Sequence, residues 1–334
     1  MTLPVRQIGP FSVSAIGLGC MNICHAYGTP PSEEEAGKLL NRALDLGVTF
    51  LDTAAIYGGG QSERLIQRYV MHRKAEFTLA SKCVLEVVDG KRTLDGRPEA
   101  ITATLERALG RLKTDHIDLY YLHRLDKKVP IEESVGALKR AVEAGKIGAI
   151  GLSEMGAATI RRAHAVHPVA AVQSEYSPVV RNPEVAVLDT CRDIGAALVA
   201  FSPVARGMLA RGVKADDYVE GDIRRSMPRF NGENLAHNLA VVARFEALAA
   251  EAAITPAQLA IGWVLAQGDH IVPIPGTRSL AHLEEDVAAA HVTLTPALIA
   301  AVDQIFEGTI RGARYAAPMQ AQIDTETLPD EELA

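Results

Sequence analysis

The fold is decided by residues 117–153, IDLYYLHRLDKKVPIEESVGALKRAVEAGKIGAIGLS. This stretch contains an apolar run at 117–123, a segment of helical periodicity at 130–146 and a second apolar run at 147–153. Such short runs, with little alternation between apolar and polar residues, are typical of strands in a parallel sheet that is covered on both faces. The stretch therefore predicts a strand–helix–strand unit.

The same alternation extends through the chain in both directions. Short apolar runs that predict strands lie at 15–19, 49–52, 77–81, 117–123, 147–153, 170–176, 196–202 and 270–276. Helical patterns lie between them, such as 32–47, where Ser32 is expected to cap a helix that ends on Gly47. Eight strands with intervening helices favour an α/β fold of the (β/α)8 TIM barrel type over an open doubly wound sheet, although periodicity alone leaves the second possibility open.

The ends of the chain depart from this alternation. Residues 3–8 and 11–14 predict a β-hairpin at the amino terminus. We expect residues 1–315 to form a single barrel domain and residues 316–334, which are acidic and poor in apolar side chains, to form a flexible tail. Two further stretches, 85–98 and the arginine-rich 221–234, are predicted to be loops.

Composition excludes several classes of function. The chain has 334 residues, 48% of them hydrophobic, and a net charge of -7 with acids and bases interspersed, so we expect no nucleic-acid partner. No secretory leader pattern and no membrane-spanning stretch is apparent, and four cysteines without a disulfide or zinc spacing fit a reducing compartment, which predicts a cytoplasmic protein. Cys20, Cys24 and His25 lack the fourth ligand of a structural metal site, so no metal is expected. The sequence does not predict an oligomeric state.

Polar side chains gather where the predicted strands end. Asp52 closes the second strand, Lys82 follows the third and His123 closes the fourth. Because catalysis in a (β/α)8 barrel occurs at the carboxyl ends of the strands, these residues and Tyr57 are expected to meet. A phenol is a weak acid at neutral pH unless a cation lies beside it, so we expect Lys82 to lower the pKa of Tyr57 and Asp52 to hold Lys82.

Such a set would protonate a developing alkoxide, with His123 donating a hydrogen bond or relaying the proton. A proton donor of this kind implies a source of hydride, and nicotinamide is the natural one because no metal or flavin pattern is present. Gly17 and Gly19 lack the third glycine of a Rossmann fingerprint, so the phosphates must bind elsewhere. The eighth unit offers Gly276, Thr277, Arg278 and the start of a helix, which together favour an anion.

At this point the residues resemble the aldo-keto reductase family. The resemblance covers nearly the whole chain and rests on these segments, in this order: IGLGCMN, FLDTAAIYGGGQSERLI, ASKC, HIDLYYLHRLD, EAGKIGAIGLSE, VQSEYSP, AFSPVARGML and PIPGTRSLAHLEED. It implies a (β/α)8 barrel that binds NADPH in extended form, with NAD as a possible substitute, and reduces a small aldehyde or ketone reversibly to an alcohol.

Carried onto the matching positions, the resemblance implies a catalytic tetrad of Asp52, Tyr57, Lys82 and His123, with Tyr57 as general acid in reduction. Gln173 would bond the nicotinamide carboxamide and Phe201 would stack on the ring. The full predicted cofactor set is Ser153, Glu154, Gln173, Phe201, Ser202, Pro203, Gly207, Gly276, Thr277, Arg278, His282, Glu285 and Asp286. The chain departs from the common family pattern at Glu154 and Asp286, where many members carry asparagine, and at His282, where many carry arginine.

Two other functions remain open at this stage. The same residues could serve an NAD(P)-dependent alcohol or sugar dehydrogenase, since the acid of one direction is the base of the other. A subunit that binds the nicotinamide cofactor and regulates a partner, without turnover, is the alternative from a different class.

Overall fold

The computed structural model describes residues 2–88 and 91–334. An antiparallel hairpin, β1 (Val5–Ile8) and β2 (Phe11–Ser14), comes first. The eight parallel strands are β3 (Leu18–Gly19), β4 (Phe50–Asp52), β5 (Thr78–Cys83), β8 (Ile117–Leu122), β9 (Ile147–Ser153), β10 (Val169–Glu175), β11 (Ala197–Phe201) and β12 (Ile271–Ile274). They are hydrogen-bonded in chain order, and the barrel prediction and the amino-terminal hairpin are both confirmed.

The two ends of this sheet meet between β3 and β12. The Gly17 amide donates to the Pro273 carbonyl, and the Gly19 amide donates to the Pro275 carbonyl, both at 3.0 Å. A Cβ atom on Gly19 would lie 2.9 Å from the Ile274 carbonyl oxygen, closer than side chains approach a backbone atom. Glycine at position 19 therefore permits the contact that brings the first and eighth strands together.

Helices surround the barrel. Their bounds are α1 (Glu33–Asp45), α2 (Gln61–Tyr69), α3 (Pro98–Leu112), α4 (Ile131–Glu143), α5 (Ala157–Val166), α6 (Val187–Ile194), α7 (Gly232–Glu251), α8 (Pro256–Ala266), α9 (Leu280–Ala288), α10 (Pro296–Phe306) and α11 (Ala317–Gln320). The predicted cap of the first helix is confirmed, because Ser32 and Glu35 form a reciprocal capping box.

The strands bury both faces, and this explains why their sequences scarcely alternate. In β8, Leu119 and Tyr121 belong to the core inside the barrel, whereas Tyr120 and Leu122 belong to the layer between the sheet and the helices. Ile8 and other hairpin residues join the inner core, so the hairpin packs against the interior of the barrel. Most positions of these strands therefore favour an apolar side chain, and the polar exceptions lie mainly toward their carboxyl ends.

The stretch 85–98 is not simply a loop, so that prediction was wrong. It contains an antiparallel hairpin formed by β6 (Leu85–Val88) and β7 (Lys91–Leu94), followed by the first residue of α3. Residues 89 and 90, which connect the two strands, lie outside the described residues. The stretch 221–234 contains two 3-10 turns, Ile223–Ser226 and Pro228–Phe230, and the start of α7.

The carboxyl-terminal segment lies against the barrel. The carboxylate of Asp324 accepts hydrogen bonds from the Gly156 amide at 3.3 Å and from the Thr159 hydroxyl at 2.7 Å. Asn182 donates to the Glu326 carbonyl at 3.0 Å. The domain division at residue 315 and the flexibility of residues 316–334 stay predictions from the sequence.

Among residues 2–88 and 91–334, no single helix is long and apolar enough to cross a membrane. α7 and α8 meet the length and composition criteria only as a pair, and they are bent by 87° at the break between them.

The barrel interior is packed closely enough that one added methyl group should lower the free energy of unfolding. Gly151 in β9 lies against Tyr121, and a Cβ atom there would be 2.3 Å from the tyrosine ring. We expect Gly151→Ala to lower the free energy of unfolding by about 1–3 kcal/mol, because the ring is buried and has no room to move. Thermal unfolding followed by circular dichroism measures the change.

The matched control is Gly110→Ala. Gly110 lies within α3, is exposed and has nothing within 4 Å of the added methyl group. This substitution should raise the free energy of unfolding by about 0.5–1 kcal/mol because alanine favours the helix. Equal unfolding temperatures for the two variants would contradict the packing described here.

Candidate active site

A cavity of about 430 Å³ opens at the carboxyl ends of the barrel strands. Residues that follow β3, β4, β8, β11 and β12 contribute to its wall. Of the predicted tetrad, Asp52, Tyr57 and His123 line the cavity, and Lys82 lies behind them with no exposed surface. The convergence that the strand ends predicted is therefore present in the structure.

Lys82 and Asp52 form a buried ion pair. Asp52 is the last residue of β4 and lies opposite Ala80 of β5, so Lys82 lies two residues further along on the same face of the sheet. The Lys82 ammonium donates to Asp52 Oδ1 and, at 2.7 Å, to the Thr53 carbonyl. Asp52 Oδ2 accepts a further hydrogen bond from Gln173 at 2.8 Å. The register of two strands thus fixes a lysine in the wall of the cavity.

Tyr57 begins a tight turn, Tyr57–Gly60, in the connection between β4 and α2. The three glycines that follow it, residues 58–60, have φ angles of 58°, 61° and 85°, which glycine adopts without strain. The turn brings the Tyr57 hydroxyl to 3.4 Å from Lys82 Nζ, and the same Nζ lies 5.0 Å from the centre of the tyrosine ring. The phenol therefore has the predicted cation beside it.

Lys82 lowers the pKa of Tyr57, as expected, but the net shift of that pKa is upward. Burial raises the pKa of Tyr57, and this effect exceeds the lowering caused by Lys82. Burial opposes the charge of Lys82 as well, but Asp52 and Tyr57 together raise the pKa of Lys82. The site therefore holds a charged ammonium next to a protonated phenol at neutral pH.

His123 lies on the other side of the phenol. Its ring meets that of Tyr57 edge to face, with 5.8 Å between the ring centres. Burial holds the pKa of His123 well below its ordinary value, and the charges of Arg124, Lys82 and Arg92 lower it further. His123 is consequently neutral at pH 7, and its buried Nδ1 has no hydrogen-bond partner among the described residues.

Most of the predicted cofactor residues lie on the same cavity. Those that line it are Ser153, Gln173, Phe201, Ser202, Pro203, Gly207, Gly276, Thr277, Arg278, His282, Glu285 and Asp286. They lie within β9, β10 and β11, in the segments that follow β11 and β12, or on α9. The cavity therefore runs from the tetrad to the amino terminus of α9.

Glu154 is the exception, because the structure does not place it on the cavity. Its carboxylate is fully buried, accepts from the Glu175 amide at 2.9 Å and pairs with Arg314 at 2.9 Å. The partner lies 160 residues away in the sequence, so no local pattern indicates this contact. Glu154 ties the rim of the barrel to the carboxyl-terminal segment.

The amino terminus of α9 and the residues before it lie at one end of the cavity. A Cβ atom on Gly276 would lie 2.8 Å from the Gly19 carbonyl, so the backbone here approaches β3 as closely as glycine allows. Ser279 caps α9 through the His282 amide at 3.4 Å, and Thr277 accepts from the Ser279 amide at 3.1 Å. The guanidinium of Arg278 donates to the Thr29 carbonyl across the cavity mouth.

Several cavity residues were missed at the sequence level. Asn22 donates to the Gly276 carbonyl at 2.9 Å, and Arg206 pairs with Glu175 at 2.8 Å while bonding the hydroxyl groups of Tyr27 and Tyr315. Arg92 and Arg124 line the cavity as well. Only Arg124 carried a usable signal, since it directly follows His123.

Among the described residues, no group of three or more histidine, cysteine, aspartate or glutamate side chains could hold a metal ion. Cys20, Cys83 and Cys191 are buried, Cys24 is half-buried, and none of the four forms a disulfide.

Comparisons with known proteins identify relatives of this chain. A sequence profile of the Aldo/keto reductase family matches residues 15–307. The chain is 44% identical over 338 residues to the aldo-keto reductase yakc [NADP(+)] of Schizosaccharomyces pombe, covering 98% of this chain and 99% of that protein. It is 40% identical to the aldo-keto reductase str7 of Strobilurus tenacellus, covering 98% of this chain and 100% of that protein.

Solved structures give the same result. The glycerol dehydrogenase AKR11B4 from Gluconobacter oxydans superposes with a TM-score of 0.83 at 28% identity, covering 92% of this chain and 95% of that one. The thermostable aldo-keto reductase Tm1743, solved with the inhibitor epalrestat, superposes with a TM-score of 0.73 at 27% identity, covering 91% and 100%. With its barrel, its converging polar residues and these relatives, the chain belongs to the aldo/keto reductase family.

Proposed function

We propose that this protein reduces an aldehyde or ketone to an alcohol with NADPH, and that Tyr57 supplies the proton. The observation that carries the proposal is the Tyr57 hydroxyl, held 3.4 Å from the Lys82 ammonium inside a cavity that neutral His123 also lines. NADP is named for the yeast relative, and the family uses it.

The chain's own residues fit a nicotinamide dinucleotide. When bound, such a cofactor supplies the hydride. The close backbone approach at Gly276, the capped amino terminus of α9 and Arg278 suit its phosphates. Phe201 is suited to stack on the nicotinamide ring, and Ser153 and Gln173, which lie in adjacent strands β9 and β10, are suited to bond its carboxamide.

Two segments meet over the cavity and can retain a cofactor. The Gly28 amide donates to Asp222 at 2.9 Å, and the Ile223 amide donates to the Ala26 carbonyl at 3.0 Å. Arg224, which pairs with Asp222 at 2.7 Å, packs over the Tyr27 ring. This contact suits the arginine-rich stretch 221–234 to close over a bound cofactor, and it would need to open for exchange.

In the proposed reduction, Tyr57 donates its proton to the carbonyl oxygen of the substrate as negative charge develops there. The adjacent Lys82 ammonium stabilises the phenolate that remains, and Asp52 keeps that ammonium in place. His123, being neutral, stabilises the oxygen as a hydrogen-bond donor rather than as a charged acid. In the reverse direction the phenolate accepts the proton, and the structural likeness to a glycerol dehydrogenase favours alcohol oxidation as the second candidate function.

The nucleotide end of the cavity contains a buried acid. Asp286 on α9 is 6% exposed, and no side chain or amide of the described residues donates to its carboxylate. Burial, followed by the charge of Glu285, raises the pKa of Asp286 to about 8. In its protonated form the side chain can donate a hydrogen bond as an asparagine does, which reconciles it with the asparagine common in the family.

The cytoplasmic location stays a prediction from the sequence. The four cysteines, none of them in a disulfide, are compatible with a reducing compartment.

The proton-donor role predicts the behaviour of Tyr57→Phe. Removing the hydroxyl should lower kcat for NADPH-dependent aldehyde reduction by about 10²–10⁴-fold, since that is the usual contribution of a positioned acid. The dissociation constant of NADPH, followed by quenching of protein fluorescence, should change little because the ring remains. NADPH oxidation with benzaldehyde, compared with NADH, measures the activity.

Tyr69→Phe is the matched control for this substitution. Tyr69 lies at the end of α2, away from the cavity, and its hydroxyl makes no side-chain hydrogen bond to a described residue. This variant should keep full activity. Unchanged turnover by Tyr57→Phe would overturn the assignment.

The raised pKa of Asp286 predicts that Asp286→Asn stabilises the folded protein at high pH but not at low pH. The pKa of Asp286 in the folded protein, about 8, lies above its ordinary value of 3.8, so between these values the folded protein holds a proton that the unfolded chain releases. Asp286 therefore lowers the free energy of unfolding progressively as the pH rises from about 4 to 8. Asp286→Asn should therefore be more stable than the parent at about pH 8, by an amount on the order of a few kcal/mol, and equal to it near pH 4.

Urea denaturation at the two pH values measures this difference. The control is Glu284→Gln on the same helix, an exposed residue whose pairing with Arg42 contributes about 0–1 kcal/mol at most. A parent protein that is more stable than Asp286→Asn at the higher pH would show that the carboxylate has a favourable partner.

A further inference from the structure

Two arginines lie on one side of the cavity mouth. Arg92 is in β7, which follows β5, and Arg124 directly follows β8. In the closed barrel β5 and β8 are the third and fourth strands, across from β11 and β12, the seventh and eighth, which bear the proposed cofactor residues. Both arginines line the cavity together with Tyr57 and His123. The arginines are therefore placed where the substrate, rather than the cofactor phosphates, would bind.

Arg124 is a buried cation without a carboxylate. It is 7% exposed, and its Nη1 donates to the His123 carbonyl at 2.6 Å and to the Ser153 hydroxyl at 3.2 Å. No carboxylate of the described residues lies within 4.0 Å of it, and its buried Nε has no hydrogen-bond partner there. Two other buried arginines, Arg206 and Arg314, are each paired with a glutamate within 3 Å. Buried Arg229 is not paired with a described carboxylate either, but unlike Arg124 it does not line the cavity. A buried charge is costly unless a partner compensates it, so the position of Arg124 points to an anion supplied from outside.

Arg92 adds a second positive charge to the same side. It is exposed at the rim and makes no side-chain hydrogen bond to a described residue. Limited hydration in the cavity, together with the charge of Arg124, lowers the pKa of Arg92 to about 10. The charge of Arg92 in turn contributes to the lowered pKa values of His25 and His123. Arg92 and Arg124 therefore lie close enough to each other and to His123 for their positive charges to repel further positive charge in this part of the cavity.

The carboxylates of the cavity do not neutralise the two arginines. Asp52 is engaged by Lys82 and Gln173, and Glu285 and Asp286 lie on α9 beyond β12. The cavity wall is also partly apolar, with Ile56, Leu85 and Met319. The cavity thus combines apolar side chains with two arginines that have no carboxylate partner among residues 2–88 and 91–334.

We propose that the substrate carries a carboxylate in addition to its carbonyl group, and that Arg124 and Arg92 bind this carboxylate while Tyr57 faces the carbonyl. The inference rests on the proposed reductase function and names the substrate class for it. Nη1 of Arg124 is occupied, whereas its Nε and Nη2 make no hydrogen bond to a described residue, so these two groups retain the donors that could bind the two oxygens of a carboxylate. A neutral carbonyl compound would leave the buried charge uncompensated.

The experiment compares each acid with its methyl ester, which has nearly the same shape but no charge. The probes are para-formylbenzoate and levulinate, with their methyl esters, assayed with NADPH and the full-length protein. In the parent protein kcat/KM for each acid should exceed that of its ester by at least about tenfold. In Arg92→Gln the acid-to-ester ratio should fall at least about threefold, and in Arg124→Gln, whose amide can still bond Ser153, at least about tenfold.

The control is Arg140→Gln, which removes the same charge from the exposed face of α4, away from the cavity. It should keep the parent ratio. Arg92 is exposed, so its variant keeps the test decisive even if Arg124→Gln does not fold.

The outcomes distinguish this inference from the proposed function. Esters reduced as well as acids by the parent protein would overturn the inference and leave the reductase function standing. A higher kcat/KM for para-formylphenyl phosphate than for para-formylbenzoate would overturn the assignment to a carboxylate. Absence of NADPH-dependent turnover for every probe would overturn the proposed function and this inference with it.

Discussion

Two opposite charges, Lys82 and Asp52, are buried where β4 and β5 end, and the active-site geometry depends on that ion pair. Removing two ions from water costs several kcal/mol for each ion. The pair is stable because hydrogen bonds within the protein replace the hydrogen bonds that the two groups would make to water. Thr53 and Gln173 provide these bonds. Since Lys82 is held in this way, its third direction is free for Tyr57, and the phenol gains a cation without gaining water.

Exclusion of water explains the other properties of the cavity as well. Burial raises the pKa of Tyr57 and Asp286 and lowers that of His123, so that all three are neutral near pH 7. Groups that are neutral can donate protons or hydrogen bonds without carrying charge into the interior. Arg124 is buried as well, and the proposed carboxylate of the substrate would supply the negative charge that its surroundings among the described residues do not.

The sequence was sufficient to predict the barrel and the convergence of the candidate catalytic residues. Runs that are apolar on both faces predict parallel strands, and polar residues at the ends of such strands must meet, as Asp52, Lys82 and His123 do. The sequence was insufficient where a contact joins distant segments. Glu154 turns away from the cavity to Arg314, 160 residues later, and no periodicity marks that pairing. The direction of the Tyr57 pKa also escaped prediction, because a motif shows which charge is near but not how much water is lost.

If a buried, protonated Tyr57 is the acid, the pKa of its hydroxyl should govern how the rate of the reduction depends on pH. We would measure kcat/KM for methyl para-formylbenzoate at saturating NADPH from about pH 6 to pH 10. With the Tyr57 pKa raised and the His123 pKa lowered, activity should stay level through about pH 9 and decline only above it, whereas oxidation of the corresponding alcohol should rise with pH. A decline in reduction centred near pH 7 would show that a different group donates the proton and would contradict the account.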